Sequence, residues 1–109
     1  MKLLVKQPGQ FPEIKEFNEG DLLAELQAAV GGYIETVHIS DTLVLIADEE
    51  GKCKRDKVIN IVLPIKGNIT DYVVGPVVIA GITRGSDDFR GLNKREISFA
   101  TNWLDVRSV

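Results

Sequence analysis

Apolar residues recur along the chain with two different periods, and each period predicts a type of element. Helical spacing between residues 22 and 30 predicts one apolar stripe, formed by Leu22, Leu23, Leu26, Ala29 and Val30. Asn18 precedes this segment as a good N-cap, and Gly31 or Gly32 follows it as a residue that accepts the left-handed conformation. The pattern predicts a helix over about 19–30.

Alternating or continuous apolar segments predict strands. Residues 2–6 and 13–17 predict a hairpin around the turn QPGQ. Further strands are predicted over 33–39, 42–47, 57–63 and 72–82, with a turn at Gly67-Asn68 and a bulge or bend at Gly75-Pro76. Short turns join the later strands, so neighbouring strands run antiparallel. Residues 42–47 are apolar nearly throughout, which indicates a central strand covered on both faces.

The last apolar pattern predicts a second helix over about 93–104. Asn93 and Glu96 have the spacing of a capping box. The apolar face of this helix is formed by Ile97, Ala100, Trp103 and Leu104. A strand over 95–101 is the alternative, because Ile97 and Phe99 also alternate. The fold class is therefore α+β, with a mostly antiparallel sheet of five to six strands, one central helix and a C-terminal helix.

The two glycines between the first helix and the third strand have two interpretations. Glycines that bind phosphate precede a helix N-terminus, where free N–H groups point outward. Gly31 and Gly32 instead follow a helix, where free carbonyl groups point outward. The polarity favours a structural corner over a phosphate loop.

Composition and charge limit the function classes. The chain has 109 residues, of which 44% are hydrophobic and 27% charged, as in an ordinary globular domain over residues 1–109. Its net charge is −3, and its basic residues are dispersed, so we expect no nucleic-acid partner. The single cysteine, Cys53, cannot form an internal disulfide, and no apolar run is long enough for a signal peptide or a membrane span. We expect a cytoplasmic protein.

The segment GGYIE after a leucine-rich helix resembles the hallmark of a small uncharacterised family of phage, plasmid and bacterial proteins. The acidic turn at residues 49–52 and the late strand at residues 71–75 are also similar to that family. The resemblance extends over nearly the whole chain. Many relatives have Pro-x-Asn-Arg before the late strand, whereas this chain has PIKGN at residues 64–68 and lacks the arginine. The resemblance implies a fold and a context, and no activity.

Residues that could support catalysis or metal binding are few. His38, Ser40 and Asp41 lie close together at a strand end, but no nucleophile elbow or oxyanion site accompanies them. One cysteine and one histidine cannot supply a zinc site, so we expect no metal and no cofactor. The acidic residues 48–50 lack the spacing of a calcium loop and indicate a solvated hairpin tip.

Five residues are candidates for binding a ligand or partner: Tyr33, Glu35, Asn60, Arg84 and Arg90. The ring of Tyr33 is expected to pack in the core with its hydroxyl at the rim, and a contact role for it is the minority interpretation. A buried amide such as that of Asn60 needs hydrogen-bond partners, which a bulge near Gly75 or a small pocket would supply. The two arginines flank a polar loop at 83–91, which is the preferred place for a partner contact.

These observations support two hypotheses about function. The first is a small phage- or mobile-element-type protein that acts as a non-enzymatic protein-interaction module, either a monomer or a homodimer. The second is a protein that binds a small molecule or nucleotide derivative through Asn60, Tyr33 and Arg84. A hydrolase that uses His38 and Ser40 is a third and weaker possibility.

Overall fold

An antiparallel sheet forms the centre of the computed structural model, which describes residues 1–55, 58–64 and 70–109. The described strands, numbered in chain order, are β1 (Lys2–Lys6), β2 (Glu13–Glu16), β3 (Ile34–His38), β4 (Leu43–Asp48), β5 (Ile59–Pro64), β6 (Thr70–Val74), β7 (Val77–Ile82) and β8 (Phe89–Arg90). The main sheet has the order β2-β1-β7-β4-β3, and β8 pairs with the last two residues of β7, next to the start of β1. Strands β5 and β6 form a separate hairpin.

One helix lies on each face of the main sheet. Helix α1 (Leu22–Val30) packs on β4 and β7 from one side. Helix α2 (Lys94–Arg107) and the β5–β6 hairpin cover the other side. Every residue of β4 and β7 is buried, since both strands are covered on both faces. Neither described helix is long and apolar enough to cross a membrane.

The two faces of the sheet build two separate apolar clusters. Beneath α1, the buried members are Leu3, Val5, Phe17, Leu26, Val30, Val44, Ile46, Val78, Ala80 and Ile82. On the α2 side, they are Leu4, Leu43, Leu45, Ala47, Ile61, Val73, Val77, Ile79, Leu92, Ala100 and Leu104. Neighbouring residues of β1, β4 and β7 thus alternate between the clusters, as the period of a strand requires.

Both predicted helices are confirmed, and their N-termini explain where they begin. The side chain of Asn18 accepts a hydrogen bond from the Gly20 N–H and starts a 3-10 turn that leads into α1. Asn93 and Glu96 form the complete capping box of α2. The alternative strand over 95–101 is wrong, because the helical period buries Ala100 while leaving Phe99 half exposed.

The predicted α+β class with a mostly antiparallel sheet is confirmed, but the apolar segment 72–82 forms two strands rather than one. Gly75 has φ +80°, and its N–H donates to the Val58 carbonyl at 2.9 Å. Pro76 has no N–H to donate, so the ladder ends there. Strands β6 and β7 therefore separate into different sheets. Lys57 and the turn predicted at Gly67-Asn68 lie outside the described residues.

The double glycine is a structural corner. Gly31 has φ +89°, and its N–H donates to the Gln27 carbonyl at 2.8 Å, which ends α1. A Cβ on Gly32 would lie 2.6 Å from Oδ1 of Asp48 and 2.9 Å from Nζ of Lys54. Lys54 donates to the Gly31 carbonyl and to Asp48, both at 2.7 Å. Gly31 therefore ends the helix. Gly32 leaves room for the ion pair between Asp48 and Lys54, in which Lys54 also donates to the Gly31 carbonyl.

We predict that Gly32→Ala lowers the free energy of unfolding by about 2 kcal/mol, because the added methyl group overpacks the Asp48–Lys54 pair. Urea denaturation would measure the loss. In an Asp48→Ala background the same substitution should cost clearly less, since the nearest atoms are gone. Equal costs in the two backgrounds would show that the ion pair is not what Gly32 accommodates.

Candidate functional site

A cleft of about 490 Å³ opens between the N-terminal half of α1 and the segment 88–91. Most of its lining residues are apolar and come from three parts of the chain. They are Met1 from the start of the chain, Leu22, Leu23 and Leu26 from α1, and Phe89 from β8. The remaining lining residues are Glu19, Asp88, Arg90 and Gly91. The cleft therefore combines an apolar surface with carboxylates on both sides.

Leu23 lies at the mouth of this cleft because of the helical period. Leu22, Leu26 and Val30 are spaced four apart and face the sheet. Consecutive helical residues are rotated by about 100°, so a face centred on Leu22, Leu26 and Val30 leaves Leu23 at its margin. Leu23 is 58% exposed. The expectation that it belongs to the buried stripe is wrong, and its side chain instead extends the apolar surface to solvent.

The charged side chains that line the cleft are mainly acidic. Within the described residues, neither Glu19 nor Asp88 forms an ion pair. Arg90 is the one basic residue of the lining, but Glu96 binds its guanidinium through two hydrogen bonds of 2.8 Å. The charge of Arg90 is thus balanced locally. The carboxylates at the mouth favour a cationic group on whatever binds there.

Arg90 reaches Glu96 because Gly81 has no side chain. A Cβ on Gly81 would lie 2.5 Å from Nη1 of Arg90. Arg90 is the cross-strand partner of Gly81, so its guanidinium lies over this glycine on the α2 side of the sheet and meets the first turn of α2. Oε1 of Glu96 also accepts the N–H of Asn93 at 3.0 Å. Together the bond from Arg90 and the backbone N–H hold the pKa of Glu96 below its ordinary value.

Asn60 is fully buried and its amide is fully used. It occupies the irregular position between Ile59 and Ile61 in β5. Nδ2 donates to the carbonyls of Lys6 and Gly75, both at 2.9 Å, and Oδ1 accepts from Nζ of Lys6 at 2.8 Å. The interpretation that Asn60 satisfies a bend near Gly75 is confirmed. Burial lowers the pKa of the Lys6 ammonium.

The other predicted site residues do not converge. Tyr33 is 70% exposed, and Glu35 is exposed on the outermost strand β3. Arg84 forms an exposed ion pair with Asp41 at 2.7 Å. The expectation that the Tyr33 ring packs in the core is wrong, because the layers on the sheet do not cover its edge at β3.

The hypothesis of a hydrolase that uses His38 and Ser40 gains no support from the arrangement of these residues. His38 and Ser40 are both exposed, and the Ser40 hydroxyl accepts the Thr42 N–H at 3.3 Å. Asp41 is paired with Arg84 instead. The acidic segment 48–50 is only partly a solvated tip, since Asp48 is buried and bound by Lys54. In the described part of the chain, no three metal-ligating side chains cluster.

The fold and the cleft define a small α+β protein with an antiparallel sheet, one helix on each face and a mainly apolar cleft with acidic residues beside the first helix. The chain belongs to a family defined by a domain of unknown function, DUF3846, whose model matches residues 1–105. The resemblance to an uncharacterised family is thereby confirmed. Searches of curated proteins and of solved structures found no match.

Sequence reasoning identified one wall of the cleft and missed the other. The loop 83–91 was the preferred place for a partner contact, and its residues 88–91 line the cleft. The apolar periodicity predicts Leu22 and Leu23 of the opposite wall in the buried stripe, and it makes no prediction for Met1. The adjacent pair Leu22-Leu23 widens this stripe to about 100°, which places one of the two leucines at its margin.

We predict that Asn60→Ala destabilises the protein by about 3 kcal/mol, because it removes the hydrogen bonds to two buried carbonyls and one of the two acceptors of the Lys6 ammonium. Urea unfolding of the variant would measure this. The control is Asn102→Ala on the exposed face of α2, which should cost about 0.5 kcal/mol or less. Equal effects of the two substitutions would contradict a structural role for the buried amide.

The ion pair between Arg90 and Glu96 predicts a pH dependence. A carboxyl group whose pKa is lowered on folding contributes stability above its unfolded pKa, near 4.5, and loses it as pH falls through the lower folded value. In Glu96→Gln the free energy of unfolding should therefore fall less steeply below pH 4.5 than in the wild type. Unfolding titrations across this range would measure the slope, with Glu19→Gln as the exposed control. An unchanged slope in Glu96→Gln would contradict the prediction.

Proposed function

We propose that this protein is a cytoplasmic, non-enzymatic interaction protein of phage or mobile-element type, and that the cleft beside α1 binds its partner protein. The proposal depends on one observation: Leu23 is exposed to solvent at a cleft whose lining is mostly apolar. Apolar surface that stays open to solvent in a concave position is typical of an interaction site. The resemblance of GGYIE and its flanking segments to phage and plasmid proteins supports the context.

The shape and charge of the cleft favour one kind of partner segment. An apolar floor fits a bulky aliphatic or aromatic side chain, and such anchors supply most of the energy of an interface. Glu19 and Asp88 lie on opposite sides of the cleft, so lysine or arginine residues flanking the anchor would meet opposite charge. We therefore expect a partner segment with a large apolar residue beside basic residues.

A small-molecule ligand is the second candidate, and the volume of the cleft favours it. About 490 Å³ lies within the range of pockets that hold small ligands. The ligand would need an apolar body and a cationic group, which the carboxylates at the mouth would bind. The sequence suggests ligand binding by Asn60, Tyr33 and Arg84. These residues form their contacts in different parts of the fold and do not support a small-molecule site.

We predict that Leu23→Asp weakens partner binding at least about tenfold, because it places a charge where the apolar anchor would pack. The experiment compares proteins captured from host lysate by C-terminally tagged wild type, Leu23→Asp and Val106→Asp. Val106 is the control, because it is equally apolar and 71% exposed on the other side of the molecule. Mass spectrometry would identify captured proteins and retained small molecules.

A protein retained at equal stoichiometry by the wild type and Val106→Asp, but lost with Leu23→Asp, is the expected result. A metabolite retained in the same pattern would replace the protein partner with the small-molecule ligand. Capture that is insensitive to Leu23→Asp would contradict the assignment of the cleft. Selection of random peptides displayed on yeast would then test the partner chemistry, and enrichment of acidic peptides would contradict it.

A further inference from the structure

The outer edge of β3 exposes a regular row of backbone groups. On the inner side, the Glu49 N–H donates to the Tyr33 carbonyl at 2.8 Å, and the Ile39 N–H donates to the Leu43 carbonyl at 2.9 Å. These bonds fix which residues of β3 point their backbone N–H and C=O groups at β4, because successive residues of an antiparallel strand point these groups to opposite sides. Every second residue from 33 to 39 therefore points its backbone groups at β4.

The intervening residues point theirs away from the sheet. They are Ile34, Thr36 and His38. No described strand pairs with this edge, since β3 ends the sheet order. The residues from 35 to 38 are all exposed, so no described element covers the edge.

The edge of β3 lacks the usual protection against pairing. Natural edge strands are blocked by proline, lysine, bulges or short length. β3 reads IETVH, which contains no proline and no lysine and has no irregularity in its register. Glu35 is its one acidic residue, and the strand is otherwise rich in strand-forming side chains.

The opposite edge, β2, is blocked in every two-fold register. It reads EIKE over four residues and follows Pro12. An axis at Ile14 would meet Pro12, which has no N–H to donate. An axis at Lys15 would oppose two ammonium groups, and one at Glu13 or Glu16 would oppose two carboxylates. The contrast between the two edges singles out β3.

We propose that two copies of the chain pair through β3, antiparallel, about a two-fold axis at Thr36. In this register Thr36 meets Thr36 of the second copy, and Ile34 meets its His38. Each of these pairs exchanges two hydrogen bonds, so every outward backbone group of the strand is used. The main sheets of the two copies then form one continuous sheet.

The side chains are complementary in the same register. Glu35 lies opposite Val37 of the second copy, so no like charges face each other. Tyr33 lies opposite Ile39, which covers an aromatic ring that is 70% exposed in the isolated chain. Moving the axis to Glu35 would oppose two carboxylates. Moving it to Val37 would pair Ile34 with Ser40, whose N–H already donates to the Leu43 carbonyl at 3.3 Å. Moving it to Ile34 or His38 would leave the outward groups at the far end of the strand unpaired. The Thr36 register is the one that uses all outward groups without repulsion.

The test is sedimentation equilibrium over a concentration series for the wild type, Thr36→Pro and Ile14→Pro. Proline at Thr36 removes an outward N–H and leaves the bonds to β4 in place. Ile14 is the matched control, because its N–H points outward from the other edge. We expect the wild type and Ile14→Pro to dimerise as concentration rises, and Thr36→Pro to remain monomeric at every concentration.

A second measurement covers the case in which Thr36→Pro fails to fold. In a Cys53→Ser background, Thr36→Cys should form an intermolecular disulfide under mild oxidation, because paired residues at the axis lie within bridging distance. Ile14→Cys should not. A wild type that stays monomeric throughout, or equal cross-linking of the two cysteine variants, would overturn the proposal. Leu23→Asp should still dimerise, so failure of the cleft proposal is distinguishable from failure of this one.

Discussion

The burial of β4 and β7 on both faces is the constraint on which the rest of the structure depends. Two strands that are buried on both faces, and that are apolar except for Asp48 at the end of β4, need a layer above and a layer below. One helix cannot supply both layers, so the chain places α1 on one face and uses α2 together with a separate hairpin on the other. The break at Gly75-Pro76 is what allows that hairpin to leave the main sheet and fold over it.

Polar groups in this interior act as fixed connections between layers. Asn60 joins the β5–β6 hairpin to β1 and to the break at Gly75. Asp48 and Lys54 join the end of α1 to the end of β4. Each group is surrounded by partners, which is the condition under which a buried polar group is tolerated. These hydrogen bonds fix how the layers pack on one another. Binding of a partner would then occur at the exposed surfaces.

Most of the fold followed from sequence periodicity, and the exceptions have physical causes. The helices and the central strand β4 were predictable because helical and strand periods differ and because Asn18, Asn93 and Gly31 mark helix ends. The division of 72–82 into two sheets was not, since a proline in an apolar run is compatible with either a bulge or a break. The cleft was only half predictable. Its loop was polar and conspicuous, but the exposure of Leu23 depends on which direction α1 presents to the sheet, and that is decided by tertiary packing.

The bond between Arg90 and Glu96 makes the two faces of the sheet mechanically dependent on each other. Arg90 belongs to the wall of the cleft on the α1 side, and Glu96 belongs to the capping box of α2 on the other side. Gly81 leaves room for the Arg90 guanidinium on the α2 face, beside Glu96. An occupant that immobilises segment 88–91 would therefore also restrain the first turn of α2. Slower amide exchange at the start of α2 would report that the distant cleft is filled.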